Sequence, residues 1–135
     1  MHPMDGCDPI LVTAGVVIRE DRVLVARRKA GSHLAGFWEF PGGKLEPGES
    51  PEECLARELR EELAVSVRVG RILEAIYHRY PEKNVLLLFY ACELTDGEPR
   101  ALDVAEVAWV RRAELPDLDW VPADRTFIER LKSEE

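Results

Sequence analysis

FWEFPGGKLEPGESPEECLARELREELAV, residues Phe37–Val65, decides how this chain is read. After an aromatic approach at Phe37, Trp38-Glu39-Phe40 reads as a short strand that stops at Pro41-Gly42-Gly43, and Pro47-Gly48 marks a further turn. Ser50, Pro51 and Glu53 have the spacing of an N-cap, a first helical residue and a capping-box partner, which predicts a helix over 51–63. Leu55, Leu59 and Leu63 give it one apolar face. At about 100° per residue, Glu58, Glu61 and Glu62 share an arc beside that face. Like charges this close raise one another's pKa. Taken alone, the helix is either an acidic surface or a seat for a hard divalent cation, Mg²⁺ or Mn²⁺, which takes oxygen ligands and cancels the repulsion. Gly42-Gly43 would let a backbone carbonyl approach the same ion.

Working outward, Leu11–Ile18 and Val23–Ala26 are β-rich runs around a polar turn, a hairpin that ends in Arg27-Arg28-Lys29. That basic cluster reads as a solvated strand end or as a phosphate contact. Residues 30–36 form a loop. Two longer strands follow, over 65–80 and 84–94, the second apolar enough to be buried on both faces. A short strand at 107–110, a helical turn at 112–115 and a terminal helix over 122–132 complete the order. One mixed sheet flanked by helices, an α/β arrangement, fits it best.

The 135 residues suit one domain, 1–135, with 1–9 read as a flexible N-terminal segment. A net charge of −8 speaks against a scaffold for nucleic-acid polymers, which needs broad basic surface. It leaves room for a nucleotide whose charge a bound cation neutralises. Cys7, Cys54 and Cys92 lack a metal or redox spacing, and Cys54 and Cys92 read as buried free thiols. No secretory leader is expected from MHPMDGCDPI, and the apolar run 85–92 is too short to cross a bilayer. A cytoplasmic protein without membrane association is the expectation.

The full spacing resembles the Nudix box, G-x5-E-x7-R-E-U-x-E-E-x-G-U, where U is a bulky aliphatic residue. Gly43, Glu49, Arg57, Glu58, Leu59, Glu61, Glu62 and Val65 fall on its fixed positions, and Ala64 replaces the last glycine. FWEFPGGK and Asp119–Asp124 are similar to the MutT branch, so the likeness runs from about 12 to 131. The resemblance implies an α/β/α Nudix sandwich and a Mg²⁺-dependent hydrolase that converts a nucleoside triphosphate to monophosphate and pyrophosphate. By the same likeness, Glu58, Glu61, Glu62, the Gly42 carbonyl and Asp103 are metal ligands, with Glu106 competing for the role of Asp103. Arg57 orients the glutamates with Glu49, Glu61 or Glu58 helps to deprotonate the attacking water, and Lys44 approaches the leaving pyrophosphate. The implied substrate contacts are Arg28, His33, Glu39, Phe40, Pro41, Gly42 and Asp124, with Trp38 and Phe40 as an apolar wall for the base. The protein would act as a monomer or homodimer on a small molecule.

Asp124 bears on which base is read. An ionised aspartate only accepts hydrogen bonds and favours a base edge rich in donors. Oxidised guanine, as in 8-oxo-dGTP, offers such an edge, and so does the amino group of CTP or a modified dCTP. Alternatively, Asp124 caps the last helix. An ADP-ribose hydrolase, suggested by Pro81, and a recognition domain without catalysis are the remaining readings.

Overall fold

The computed structural model describes residues 9–133. His2, Cys7 and nearly all of the expected flexible segment lie outside the described residues. Strands β1 (Ile10–Arg19), β2 (Arg22–Arg27), β3 (Trp38–Glu39) and β4 (Gly42–Lys44) precede helix α1 (Pro51–Leu63). After it come β5 (Ser66–Tyr80), β6 (Lys83–Asp96), β7 (Glu106–Arg111), a 3₁₀ turn (Arg112–Asp117) and α2 (Pro122–Ser133).

The strands form one mixed sheet in the order β3-β2-β1-β6-β5, with β4 added to β1 and β7 to β2. β1 pairs parallel with β6 along Ile10–Val17, and antiparallel with β2 only at Ile18 and Arg19. Strand alternation then sorts side chains to two cores. On one face Val17, Leu24, Tyr90 and Cys92 meet Leu55, Leu59 and Leu63 of α1. On the other, Val16, Val25, Leu87 and Phe89 meet Phe127 and Ile128 of α2. Thus β6 is covered on both faces, and the sandwich is α/β/α. Cys54 and Cys92 are buried free thiols.

Helix α1 starts as its sequence requires, with both hydrogen bonds of the Ser50/Glu53 capping box in place. It ends at Ala64, which takes the left-handed conformation (φ 62°, ψ 34°) and donates its N–H to the Arg60 carbonyl. The departure from glycine has therefore kept the turn geometry at a steric cost to an L-residue. Ala64→Gly is expected to stabilise the fold by about 1 kcal/mol, read as a rise of several degrees in Tm. An unchanged Tm would mean that the turn carries no strain.

One expectation is corrected at Pro41. The approach strand ends at Glu39, and the chain re-enters the sheet at Gly42 as β4, antiparallel to Val12–Ala14. A Cβ on Gly42 would sit 2.0 Å from the Thr13 carbonyl oxygen, so only glycine lets β4 lie this close. The predicted helical turn at 112–115 is a 3₁₀ segment reaching Asp117, pinned by Arg125, whose guanidinium donates to the Pro116 and Leu118 carbonyls.

Candidate active site

The sheet end at β4 and the exposed flank of α1 face each other across Gly43. A Cβ there would lie 2.3 Å from Glu58 Cδ, so the missing side chain is the space that the Glu58 carboxylate fills. Arg57 is the hub of the flank. Its Nε and Nη2 donate to Glu49 at 2.5 and 3.1 Å, and Nη1 reaches Glu58 at 3.2 Å and Glu61 at 3.1 Å. Nη2 also donates to the Lys44 carbonyl at 3.3 Å, tying the helix to β4. Hydrogen bonding to Arg57 holds Glu49 below the usual carboxylate range.

Glu62, one turn beyond Glu58, is in the opposite condition. Its Oε1 is buried without a hydrogen-bond partner. Burial, then the charges of Glu39 and Glu58, push its carboxyl up to about 9, while the Gly42 N–H works the other way. Burial likewise raises Glu58 and Glu39. Arg28 answers Glu39 with a 2.9 Å ion pair, and its Nε donates to the His33 carbonyl at 2.5 Å. Glu61, by contrast, keeps 60% of its side chain exposed.

The strap after β6 closes over the end of α1. Leu102 N–H and Asp103 N–H donate to the Glu62 carbonyl at 3.0 and 3.3 Å. The Asp103 carboxylate is paired with Lys29. Lys29, Asp103, Glu39 and Glu62 line a small cavity of about 130 Å³. Among the described residues, no three His, Cys, Asp or Glu side chains stand together as a ready cage, since Glu58 and Glu61 are drawn onto Arg57. The donor set is nevertheless all carboxylate oxygen, and the partnerless Glu62 Oε1 needs either a proton or a cation. Those residues fit a hard divalent ion.

Next to the acids lies a cavity of about 290 Å³. Arg28, His33, Glu39, Phe40, Gly42, Lys44 and Asp124 all line it, so the fold brings Asp124 to the segment that runs from Arg28 to Lys44. Two residues of the expected set do not line it. Pro41 is buried, and its carbonyl accepts from Gly15 N–H at 2.8 Å, a sheet contact. Trp38 lies under the Arg27 guanidinium and brackets Trp120 through backbone bonds to Asp119 and Val121. Phe40 does reach the wall, but at 3% exposure it is chiefly a core residue, stacked on Trp120 with ring centres 4.8 Å apart. Tyr80, not anticipated, supplies a half-buried aromatic, meeting His33 edge-on at 5.7 Å and His78 at 4.3 Å. A turn tyrosine carries no spacing signal; the pairing of β5 with β6 puts it there.

Asp124 is not used as a helix cap in the way considered above. Its Oδ2 accepts the Phe40 N–H at 2.8 Å, fastening α2 to the strand before β4. At 2% exposure, burial lifts its carboxyl well above the usual aspartate range. Asp124 keeps its place in the cavity lining while this hydrogen bond occupies one of its carboxylate oxygens.

A capping-box helix bearing Arg57, Glu58, Glu61 and Glu62 against Gly42-Gly43, on a seven-stranded mixed sheet between two helices, defines a class. The chain belongs to the Nudix family, whose NUDIX domain matches residues 9–131, and it is a hydrolase of the MutT type. It is 44% identical over 128 residues to a Mycobacterium tuberculosis protein named as a candidate 8-oxo-dGTP diphosphatase 2, covering 90% of this chain and 86% of that one. It is 34% identical over 122 residues to the CTP pyrophosphohydrolase of Escherichia coli, covering 89% of each. The crystal structure of a MutT protein from Methanosarcina mazei superposes with a TM-score of 0.85 at 26% identity, covering 95% of this chain and 96% of the other. Nudix hydrolases generally use a divalent metal. Among the described residues, no helix is long and apolar enough to cross a membrane.

Proposed function

We propose that the chain is a Mg²⁺-dependent pyrophosphohydrolase of nucleoside triphosphates in the cytoplasm, with 8-oxo-dGTP as its main substrate. The observation that carries this reading is the buried, partnerless Glu62 oxygen near Glu58 and Glu39, in a small cavity that shares Arg28 and Glu39 with the larger, base-sized one. Glu58 and Glu62, with Glu61, the Gly42 carbonyl and Asp103, would hold the metal. When bound, the metal supplies charge neutralisation along the phosphates and stabilises the charge that develops there.

The remaining roles follow from this chain's own groups. Glu61 is the most solvent-accessible of the box acids in this contact set, so it can take a proton from water and pass it to solvent, and Glu58 is the alternative base. Arg57 orients both by donating to each. Lys44 lines the cavity beside Gly43 and offers an ammonium to the departing pyrophosphate. Arg28, steadied by Glu39 and the His33 carbonyl, faces the substrate from the loop side. Tyr80 and His33 give an aromatic wall to the base, and Asp124 reads its edge.

The name of the Mycobacterium tuberculosis relative supports the oxidised purine, and that of the Escherichia coli relative supports CTP as a second reading. A panel of triphosphates separates them: 8-oxo-dGTP is expected to have the highest kcat/KM, and the highest value on CTP would transfer the assignment. Asp124→Asn should shift the preference among bases by about tenfold, the discrimination of one polar contact. An unchanged profile would confine Asp124 to fastening α2.

A further inference from the structure

The face of the sheet that α1 covers is apolar around Val17, Leu24, Leu55, Leu59 and Leu63, yet it holds a hydroxyl and a thiol side by side. Thr13 of β1, 1% exposed, and Cys54 of α1, fully buried, lie with Oγ1 and Sγ 3.5 Å apart. A buried hydroxyl destabilises the fold unless it is hydrogen-bonded, so its partners say what keeps it there. Both groups turn to the carbonyls of β4. Thr13 Oγ1 donates to the Gly43 carbonyl at 3.3 Å. Cys54 Sγ donates to the Lys44 carbonyl at 3.3 Å and reaches that of Gly43 at 3.6 Å. Burial pushes the Cys54 thiol up, which keeps it a donor.

We propose, resting on the hydrolase reading above, that Thr13 and Cys54 are positioning residues that set the height of β4 under the box glutamates. The ladder between β1 and β4 covers three residue pairs, Val12–Lys44, Thr13–Gly43 and Ala14–Gly42, and ties the two strands only to each other. The thiol ties them to α1. Three contacts pass the placement of β4 on to the acids. Gly43 has the Glu58 carboxylate packed where its own Cβ would be, so any rise of the strand displaces Glu58. The Lys44 carbonyl is shared by Cys54 and Arg57 Nη2, so the fork that holds Glu49, Glu58 and Glu61 moves with it. The Gly42 N–H is hydrogen-bonded to the Glu62 carboxyl. Misplacing such groups by a fraction of an ångström is enough to slow a reaction without loosening substrate.

Thr13→Val removes the hydroxyl at constant shape, and Cys54→Ala removes the thiol. Each should lower kcat about tenfold and leave KM for a nucleoside triphosphate within about twofold. Each should also weaken Mn²⁺ binding to the nucleotide-free protein by about threefold, read by electron paramagnetic resonance. Thr13→Ser, which keeps the donor, should restore most of the loss. Wild-type kcat and Mn²⁺ affinity in both donor-lacking variants, a loss confined to KM, or a Thr13→Ser as slow as Thr13→Val would overturn the proposal and leave the pair to packing. One reading needs no donor-lacking variant to fold. The Cys54 S–H stretch, isolated as the infrared difference between wild type and Cys54→Ser, should shift when Mn²⁺ binds the wild type; a band that stays in place would also overturn the proposal. Wild-type protein that turns over no triphosphate would instead sink the hydrolase reading itself, and the positioning role with it.

Discussion

Glu62→Gln is expected to lower kcat by about a thousandfold, the loss of one metal contact worth several kcal/mol in the transition state. The change is isosteric, and it should leave the fold intact for a reason particular to this site. Glu62 sits near pKa 9 because it is buried next to Glu39 and Glu58, so without metal it is already close to a neutral side chain at pH 7. The sign of the accompanying pH effect is determined. Between the ordinary value of 4.5 and about 9, the unfolded chain releases a proton that the folded one keeps. Metal-free wild-type protein therefore loses stability as pH rises through that window, and the contribution is fully present only below 4.5. Tm in EDTA at pH 5 and pH 8 should fall less for Glu62→Gln than for wild type. The fall persists in part, since Glu39, Glu58 and Asp124 are raised in the same direction. Wild-type protein should also release protons on binding Mn²⁺ at pH 7, and the variant fewer. A variant with wild-type kcat would mean that the metal sits elsewhere.

Arg57→Lys should cost about a hundredfold in kcat with little change in KM for the nucleotide. Lysine keeps the charge, but one ammonium cannot reproduce the fork that reaches Glu49, Glu58, Glu61 and the Lys44 carbonyl together. The glutamates would then be misplaced by about an ångström, which is enough for a loss of that size. A loss appearing wholly in KM would instead make Arg57 a substrate contact.

These residues also mark how far the sequence could be read. Local rules carried α1: a capping box, a proline at the first turn and a leucine stripe are short-range chemistry, and the helix has the predicted bounds. The box acids were legible because their spacing is a helix property. The surroundings of Pro41 were not legible, since the meeting of its carbonyl with Gly15 N–H depends on β4 pairing with β1 across the sheet. Phe40 lines the cavity and Trp38 does not, and both make packing contacts decided by Trp120, some eighty residues on. Tyr80 and the Lys29–Asp103 pair depend on long-range register and had no local signal. Ala64 shows the converse: the residue departs from the family pattern, and the left-handed turn survives.

The most direct test is ³¹P NMR of the products formed from a nucleoside triphosphate with and without Mg²⁺. The expected result is monophosphate and pyrophosphate in equal amounts, formed only when the metal is present. Orthophosphate and a nucleoside diphosphate, or equal turnover in EDTA, would contradict the account.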